Sequence, residues 1–278
     1  MDYIYAELMN KNKNSNSTTQ KYKILSCQKS IDVNKDTTSW IELKELVKSN
    51  TDLRIFDAVL LKTRKIVVKI GKSDTILKEY KISHLLSNID GFIKYYCYFN
   101  CNNKIDKIII NSSICANEGD PIKILLMKKY ELGDIKNYNW NLDNFNILKI
   151  LIKQICVALF NAFNMYGFLH NDVHFGNFLI NKKDNKYQVI IMDFENSLFD
   201  LTKNNDLEIL YQNYEQILNN ILWELNLVTE NMEIVLNYIK SNKDRLIDIN
   251  YLLNLIDNII MIKKRDLSQR IKYDPTIF

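Results

Sequence analysis

Glycine and proline are almost missing from this 278-residue chain, at 6 and 2 residues. No glycine precedes Gly71, so no loop ahead of that point can close its backbone on phosphate groups through the freedom that glycine gives. Five cysteines, Cys27, Cys97, Cys101, Cys115 and Cys156, are odd in number and include no Cys-x-x-Cys pair. That excludes a paired-cysteine metal site and points to reduced thiols in an intracellular, cytoplasmic protein. The start, Met1-Asp2-Tyr3-Ile4-Tyr5, lacks a basic segment followed by an apolar core, so no secretory signal is expected. The most apolar stretch, residues 147–163, is interrupted by Lys149, Lys153 and Gln154 and is not read as a membrane span. Charge is nearly balanced, 37 Lys and Arg against 33 Asp and Glu, which gives little reason to expect nucleic acid as a partner. The Asn, Lys and Ile that fill the composition reflect an AT-rich genome more than any special physics.

What is present is concentrated in one stretch. Gly167-Phe168-Leu169-His170-Asn171-Asp172-Val173-His174-Phe175-Gly176-Asn177 is a polar loop between a long helical pattern and an apolar run, Phe178-Leu179-Ile180. A second run, Val189-Ile190-Ile191-Met192, ends in Asp193. Strand, turn, strand and acid aim two carboxylates and an amide at one point. Phosphoryl transfer needs that set, one Asp for the acceptor hydroxyl and an Asn and a second Asp for Mg²⁺. Taken alone, Asp172 and Asn177 are also common turn residues.

His170 to Asn177 resembles the catalytic loop of the protein-kinase-like superfamily, and Asp193-Phe194-Glu195 resembles its magnesium-binding Asp-Phe-Gly triplet. The resemblance implies an α+β, two-lobed fold, with a small antiparallel β lobe carrying one helix and a larger, mostly helical lobe. It places an amino-terminal extension at 1–48, the lobes at 49–129 and 130–265, and a tail at 266–278.

Residues 10–20 are polar and low in complexity, and are expected to be flexible. A short strand is read at 22–26, and Trp40, Leu43 and Val47 fall at helical spacing within 39–48. Residues 55–61 and 66–70 are β-rich and joined as a hairpin, with Val67 and Lys69 on the face opposite Ile66, Val68 and Ile70. Residues 74–87 form a helix placing Glu79 on the apolar face with Ile82 and Leu86. A buried acid requires a cation: Lys69 is one candidate partner, and an exposed pairing with Lys78 is the other. Strands follow at 92–99, 105–110 and 122–126, giving five with the first hairpin. The helix at 143–166 carries an apolar stripe from Leu148 to Tyr166 and stops at Gly167. After Asp193 the pattern is helical, at 206–225, 230–241 and 245–262.

By the resemblance, Asp172 is the residue that takes or orients the acceptor's proton, Lys69 grips the α and β phosphates of ATP, and Glu79 pairs with Lys69. The bland alternative for Lys69 is a solvated lysine on an edge strand. Asn177 and Asp193 hold Mg²⁺, Val67 and Leu179 cover the two faces of adenine, and Met127 is the gatekeeper. Lys129 and Tyr130 offer backbone groups to the base, and Asp134 reaches ribose. His174 stands where typical protein kinases have lysine, as in haspin-like kinases and the aminoglycoside and choline kinase relatives; it touches phosphate or only packs. Asn171 replaces an arginine that pairs with a phosphorylated activation loop, Glu195 replaces glycine, no Ala-Pro-Glu follows, and the glycine-rich loop has no glycine. The expected activity is ATP- and Mg²⁺-dependent transfer to a hydroxyl, first of all a protein Ser or Thr. A small-molecule hydroxyl kinase and an inactive binding module are the alternatives. Expected partners are ATP and a protein substrate, with no nucleic acid and no membrane.

Overall fold

In the computed structural model, residues 41–47, 54–60, 64–100, 122–199, 207–243 and 246–262 are described. The chain is a mixed α+β protein. Its largest sheet contains β1 (Ile41–Val47), β2 (Arg54–Leu60), β3 (Arg64–Lys72), β4 (Tyr95–Asn100) and β5 (Ile122–Lys128), in the order β1-β2-β3-β5-β4 with every neighbour antiparallel. The β-branched run of β3 explains its central place. Ile66, Val68 and Ile70 are fully buried on one face, while Val67, on the other, packs against the main core.

β1 corrects the sequence reading, in which residues 39–48 were helical. Trp40, Leu43 and Val47 do fit a 3.6-residue period, but the register of β1 against β2 shifts between Glu45 and Val47. That irregularity interrupts the alternation that would have marked a strand. β1 is the fifth described strand of this sheet. The expected strands at 105–110 and 22–26, the low-complexity residues 10–20, residues 48–53 and the first residue of the helix expected at 206–225 all lie outside the described residues.

One helix, α1 (Ser73–Leu85), packs on β3, β4 and β5. It buries Ile76, Glu79, Ile82, Ser83 and Leu85, then tightens into a 3₁₀ turn at Leu86–Asn88. The main core is built around α2 (Phe145–Tyr166), whose stripe of Leu148, Leu151, Ile152, Ile155, Leu159 and Ala162 is buried. Each fully buried Leu or Ile contributes about 1.5–3 kcal/mol relative to exposure. By length and composition α2 would also suffice to cross a membrane, but half of its most apolar window is covered by the protein itself. It ends where Gly167 adopts φ 61° and donates its N–H to the Phe163 carbonyl at 2.7 Å.

The chain then forms β6 (Phe168–Leu169) and the hairpin β7 (Phe178–Lys183) and β8 (Lys186–Ile191), followed by β9 (Leu198–Phe199), which pairs with β6. Asp184 and Asn185 turn the hairpin with φ 50° and 59°, the two left-handed positions of a type I′ turn. Gly91–Ile93 lies along β8, with Ile93 N to Ile191 O at 2.9 Å and Ile191 N to Gly91 O at 2.6 Å. Residues 133–135 lie along β7, with Ile135 N to Phe178 O at 2.9 Å and Ile180 N to Gly133 O at 2.8 Å. The hairpin is thereby joined to the segments entering and leaving the large sheet.

Helices α3 (Leu207–Trp223), α4 (Met232–Lys240) and α5 (Ile249–Asp257) complete the core. Asp248 caps α5, accepting from the N–H groups of Asn250 and Tyr251 at 2.9 and 3.3 Å. This half is not wholly helical, as the pattern suggested: β10 (Val228–Glu230) pairs with β11 (Ile260–Ile262), so the last helix stops short.

Candidate active site

The loop between β6 and β7 rests on an aromatic floor. His170 is fully buried among Phe168, Phe178 and Phe194, with ring centroids 5.8–6.2 Å from its own. Its Nε2 lies 2.9 Å from the Met192 carbonyl; a carbonyl only accepts, so Nε2 carries the proton. Burial lowers the His170 pKa, outweighing that hydrogen bond, and the ring is neutral. It serves as a spacer between the loop and the end of β8.

Register brings the three chemical residues together. Phe178 pairs with Ile191 across the hairpin, so Asn177 faces Met192, whose N–H donates to the Asn177 carbonyl at 3.0 Å. Asp193 is the next residue, in the left-handed region at φ 66°. Asn177 is buried and its Nδ2 donates to the Asp172 carbonyl at 3.0 Å, which leaves Oδ1 as the atom for a ligand. The Asp172 carboxylate is met from two sides: Asn196 Nδ2 is 3.3 Å from Oδ2, and His174 Nε2 is 3.8 Å from Oδ1. His174 is aimed by Gly176, whose N–H donates to Nδ1 at 3.1 Å. A Cβ at Gly176 would stand 3.0 Å from the imidazole, so any other residue there would displace the ring by a few tenths of an ångström. With Nδ1 accepting, the proton of the neutral ring sits on Nε2, facing Asp172.

Lys69 supplies the other side of the site. Its ammonium is buried, hydrogen-bonds Glu79 Oε1, and lies 3.0 Å from Asp193 Oδ1. Lys78 instead donates to the Glu195 carbonyl, which removes the alternative pairing. Burial alone would lower the Lys69 pKa, but Glu79 and Asp193 outweigh it and the net direction is up. For Glu79, burial dominates the pull of Lys69 and pushes its carboxyl up to about 7. Burial also opposes ionisation of Asp193, yet Lys69 holds it below the usual carboxylate range. The ammonium thus bridges one well-ionised carboxylate and one at the edge of ionisation.

The residues expected around a base lie along this face. Val67 pairs with Met127, and Met127 with Tyr95, across β3, β5 and β4. Met127 is buried; Lys129 pairs with Asp57 of β2; the Tyr130 carbonyl accepts from Gly133 N–H at 3.1 Å. Asp134 bridges to half-buried Leu179 through the backbone, and its carboxylate takes the N–H and Nδ2 of Asn137 at 2.8 and 3.0 Å. The Asp134 side chain is therefore committed to its own turn.

Four contributors were not visible in the sequence. Tyr95 donates its hydroxyl to Glu79 Oε2 at 3.0 Å. Asn196 contacts Asp172 as above. From the far end of α3, Asn220 Nδ2 donates to the Val173 carbonyl at 3.1 Å and Glu224 Oε2 accepts from Phe175 N–H at 3.0 Å. They hold the loop's backbone. None belongs to a local motif; the only available signal was that an apolar helix, α3, carries the buried polar residues Asn213 and Asn220.

No protein-family model matches the chain, and no curated protein is significantly similar to it. Among the described residues no group of three or more His, Cys, Asp or Glu is disposed to hold a metal ion. Asn177 Oδ1 and the Asp193 carboxylate fit the other way of holding Mg²⁺, in which one or two side-chain oxygens share the ion with phosphate and water.

Proposed function

We propose that the chain is an ATP- and Mg²⁺-dependent phosphotransferase of two-lobed, protein-kinase-like architecture. The observation that carries this reading is the Lys69 ammonium, which joins Glu79 of α1 to Asp193 at the end of the hairpin. Two residues ten positions apart meet a third that is 124 positions from Lys69, and Asn177 and the Asp172 loop adjoin it. A purely structural lysine does not require an ion pair with two carboxylates from separate elements.

In this reading Lys69 binds the α and β phosphates of ATP, with Glu79 fixing its position. Asn177 and Asp193 would hold Mg²⁺, which would supply positive charge beside the phosphates. Asp172 accepts a hydrogen bond from the acceptor hydroxyl and aims its oxygen at the γ-phosphorus. The new O–P bond forms as the bond to the β,γ-bridging oxygen breaks, ADP leaves with the electron pair, and the hydroxyl proton passes by way of Asp172. A protein Ser or Thr is the first-choice acceptor. A small hydroxylic acceptor is the second, supported by His174 beside Asp172 and by Glu195 in place of glycine.

Thermal shift with Mg-ATP tests the common core, and no Mg-dependent shift would remove both enzyme readings. Mg-ATP binding without transfer, on a panel of basic proteins, peptides, amino alcohols and aminoglycosides, would mark a binding module. Phosphate found only on a small acceptor would replace the first choice with the second.

A further inference from the structure

Tyr95 is unused by the chemistry above, yet its hydroxyl lies inside the site. It sits on β4 opposite Met127, and its ring packs against the main core. Phenylalanine would fill that volume equally well, so packing does not account for the oxygen. The hydroxyl donates to Glu79 Oε2 at 3.0 Å.

The division of the carboxylate gives this contact its consequence. Glu79 is fully buried; Oε1 faces Lys69 and Oε2 faces Tyr95. With both oxygens engaged, the carboxylate cannot turn without breaking a buried, charge-assisted bond. Without the phenol, Oε2 becomes a buried acceptor lacking a partner, and the group gains a reason to rotate, to draw water in or to leave Lys69. The chain Tyr95, Glu79, Lys69, Asp193 therefore runs from the sheet through α1 to the end of the hairpin, fastened at each step by one bond.

We propose that Tyr95 is a positioning residue for Lys69, acting through Glu79. Its hydroxyl holds α1 in the geometry that presents the ammonium to phosphate. This rests on the nucleotide-site reading of Lys69.

A double-mutant cycle on Mg-ATP affinity by isothermal titration tests it, using the wild type, Tyr95→Phe, Glu79→Gln and the pair. Tyr95→Phe is expected to weaken Mg-ATP binding by about 5–10-fold, the loss of one hydrogen bond to a charged group. In the Glu79→Gln background the same change is expected to cost less than about two-fold, because the two act as one unit. Additive losses, or wild-type affinity in Tyr95→Phe, would overturn the proposal. The second measurement needs no nucleotide: the rate at which an N-hydroxysuccinimide acetate labels Lys69, read by peptide mass spectrometry. Faster labelling in Tyr95→Phe supports the linkage and an unchanged rate overturns it. A wild-type protein that binds no Mg-ATP would refute the proposed function, while the labelling rate would still decide whether Tyr95 governs Lys69.

Discussion

The two ends of the candidate site are built differently. At the lysine end the side chains of Lys69 and Glu79 are 4% and 0% exposed, and the ammonium is bonded to two carboxylates. At the acceptor end Asp172 and His174 are 31% and 40% exposed, 3.8 Å apart, with Asn196 at 3.3 Å. One end is assembled before any ligand arrives. The other consists of groups near one another whose contacts are loose, so an incoming hydroxyl can enter between them. Under the proposed function, nucleotide placement is a property of the fold, whereas acceptor alignment is left to the acceptor.

The sharpest way to break this contrast is to remove the acid at each end. Asp172→Ala should lower transfer by about 10²–10⁴-fold and leave Mg-ATP affinity unchanged in titration calorimetry, while Asp193→Asn should lose both. Equal losses of affinity would mean that the ends are not separate. Next comes stability. Glu79→Ala strips the buried Lys69 of one of its two counter-charges and should cost about 3–5 kcal/mol in urea denaturation, whereas His174→Ala, at an exposed position, should lie within about 0.5 kcal/mol of wild type. A smaller effect is expected at Asn196→Ala: kcat reduced by about ten-fold or less, with the melting temperature unmoved. A large drop in melting temperature would mean that the acceptor end is as tightly built as the other.

The smallest expected effect is on pH dependence. The folded Glu79 carboxyl titrates at about 7 against an ordinary 4.5, so its contribution to stability is full below the ordinary value and is lost as pH rises through about 7. Asp193, held below 3.8, has the opposite sign: its contribution is present above 3.8 and is lost as the pH falls through its depressed value. Raising the pH through 7 should therefore cost the wild type stability relative to Glu79→Gln. Parallel melting curves across that range would show that the Glu79 carboxyl is not raised.

Legibility followed sequence distance. The helix ending at Gly167, the polar loop and the hairpin were all readable, because each rests on local rules of periodicity, a left-handed cap and β-rich runs around a turn. The pairing of Lys69 with Glu79 was readable because an acid on an apolar face demands a cation nearby. Tyr95 was not, because it is one of 16 tyrosines and nothing near it in sequence singles out its hydroxyl. Asn220 and Glu224 were hidden for the same reason: their partners, Val173 and Phe175, are more than forty residues away. β1 was misread because its irregular register erased the alternation of a strand, and the short strands β10 and β11 need each other to exist.

The hairpin that carries Asn177 and Asp193 has a further consequence, for the order in which the chain assembles. Its two strands close through a two-residue turn, a contact that costs little chain entropy and forms on a microsecond scale of about 1–10 μs. Its flanks arrive from far along the chain, Gly91 meeting Ile191 and Gly133 meeting Ile180. Those long loops close slowly. The pair proposed to hold Mg²⁺ is therefore expected to form early around the Asp184–Asn185 turn, and the large sheet to dock onto it later, so that Lys69 reaches Asp193 among the last events of folding.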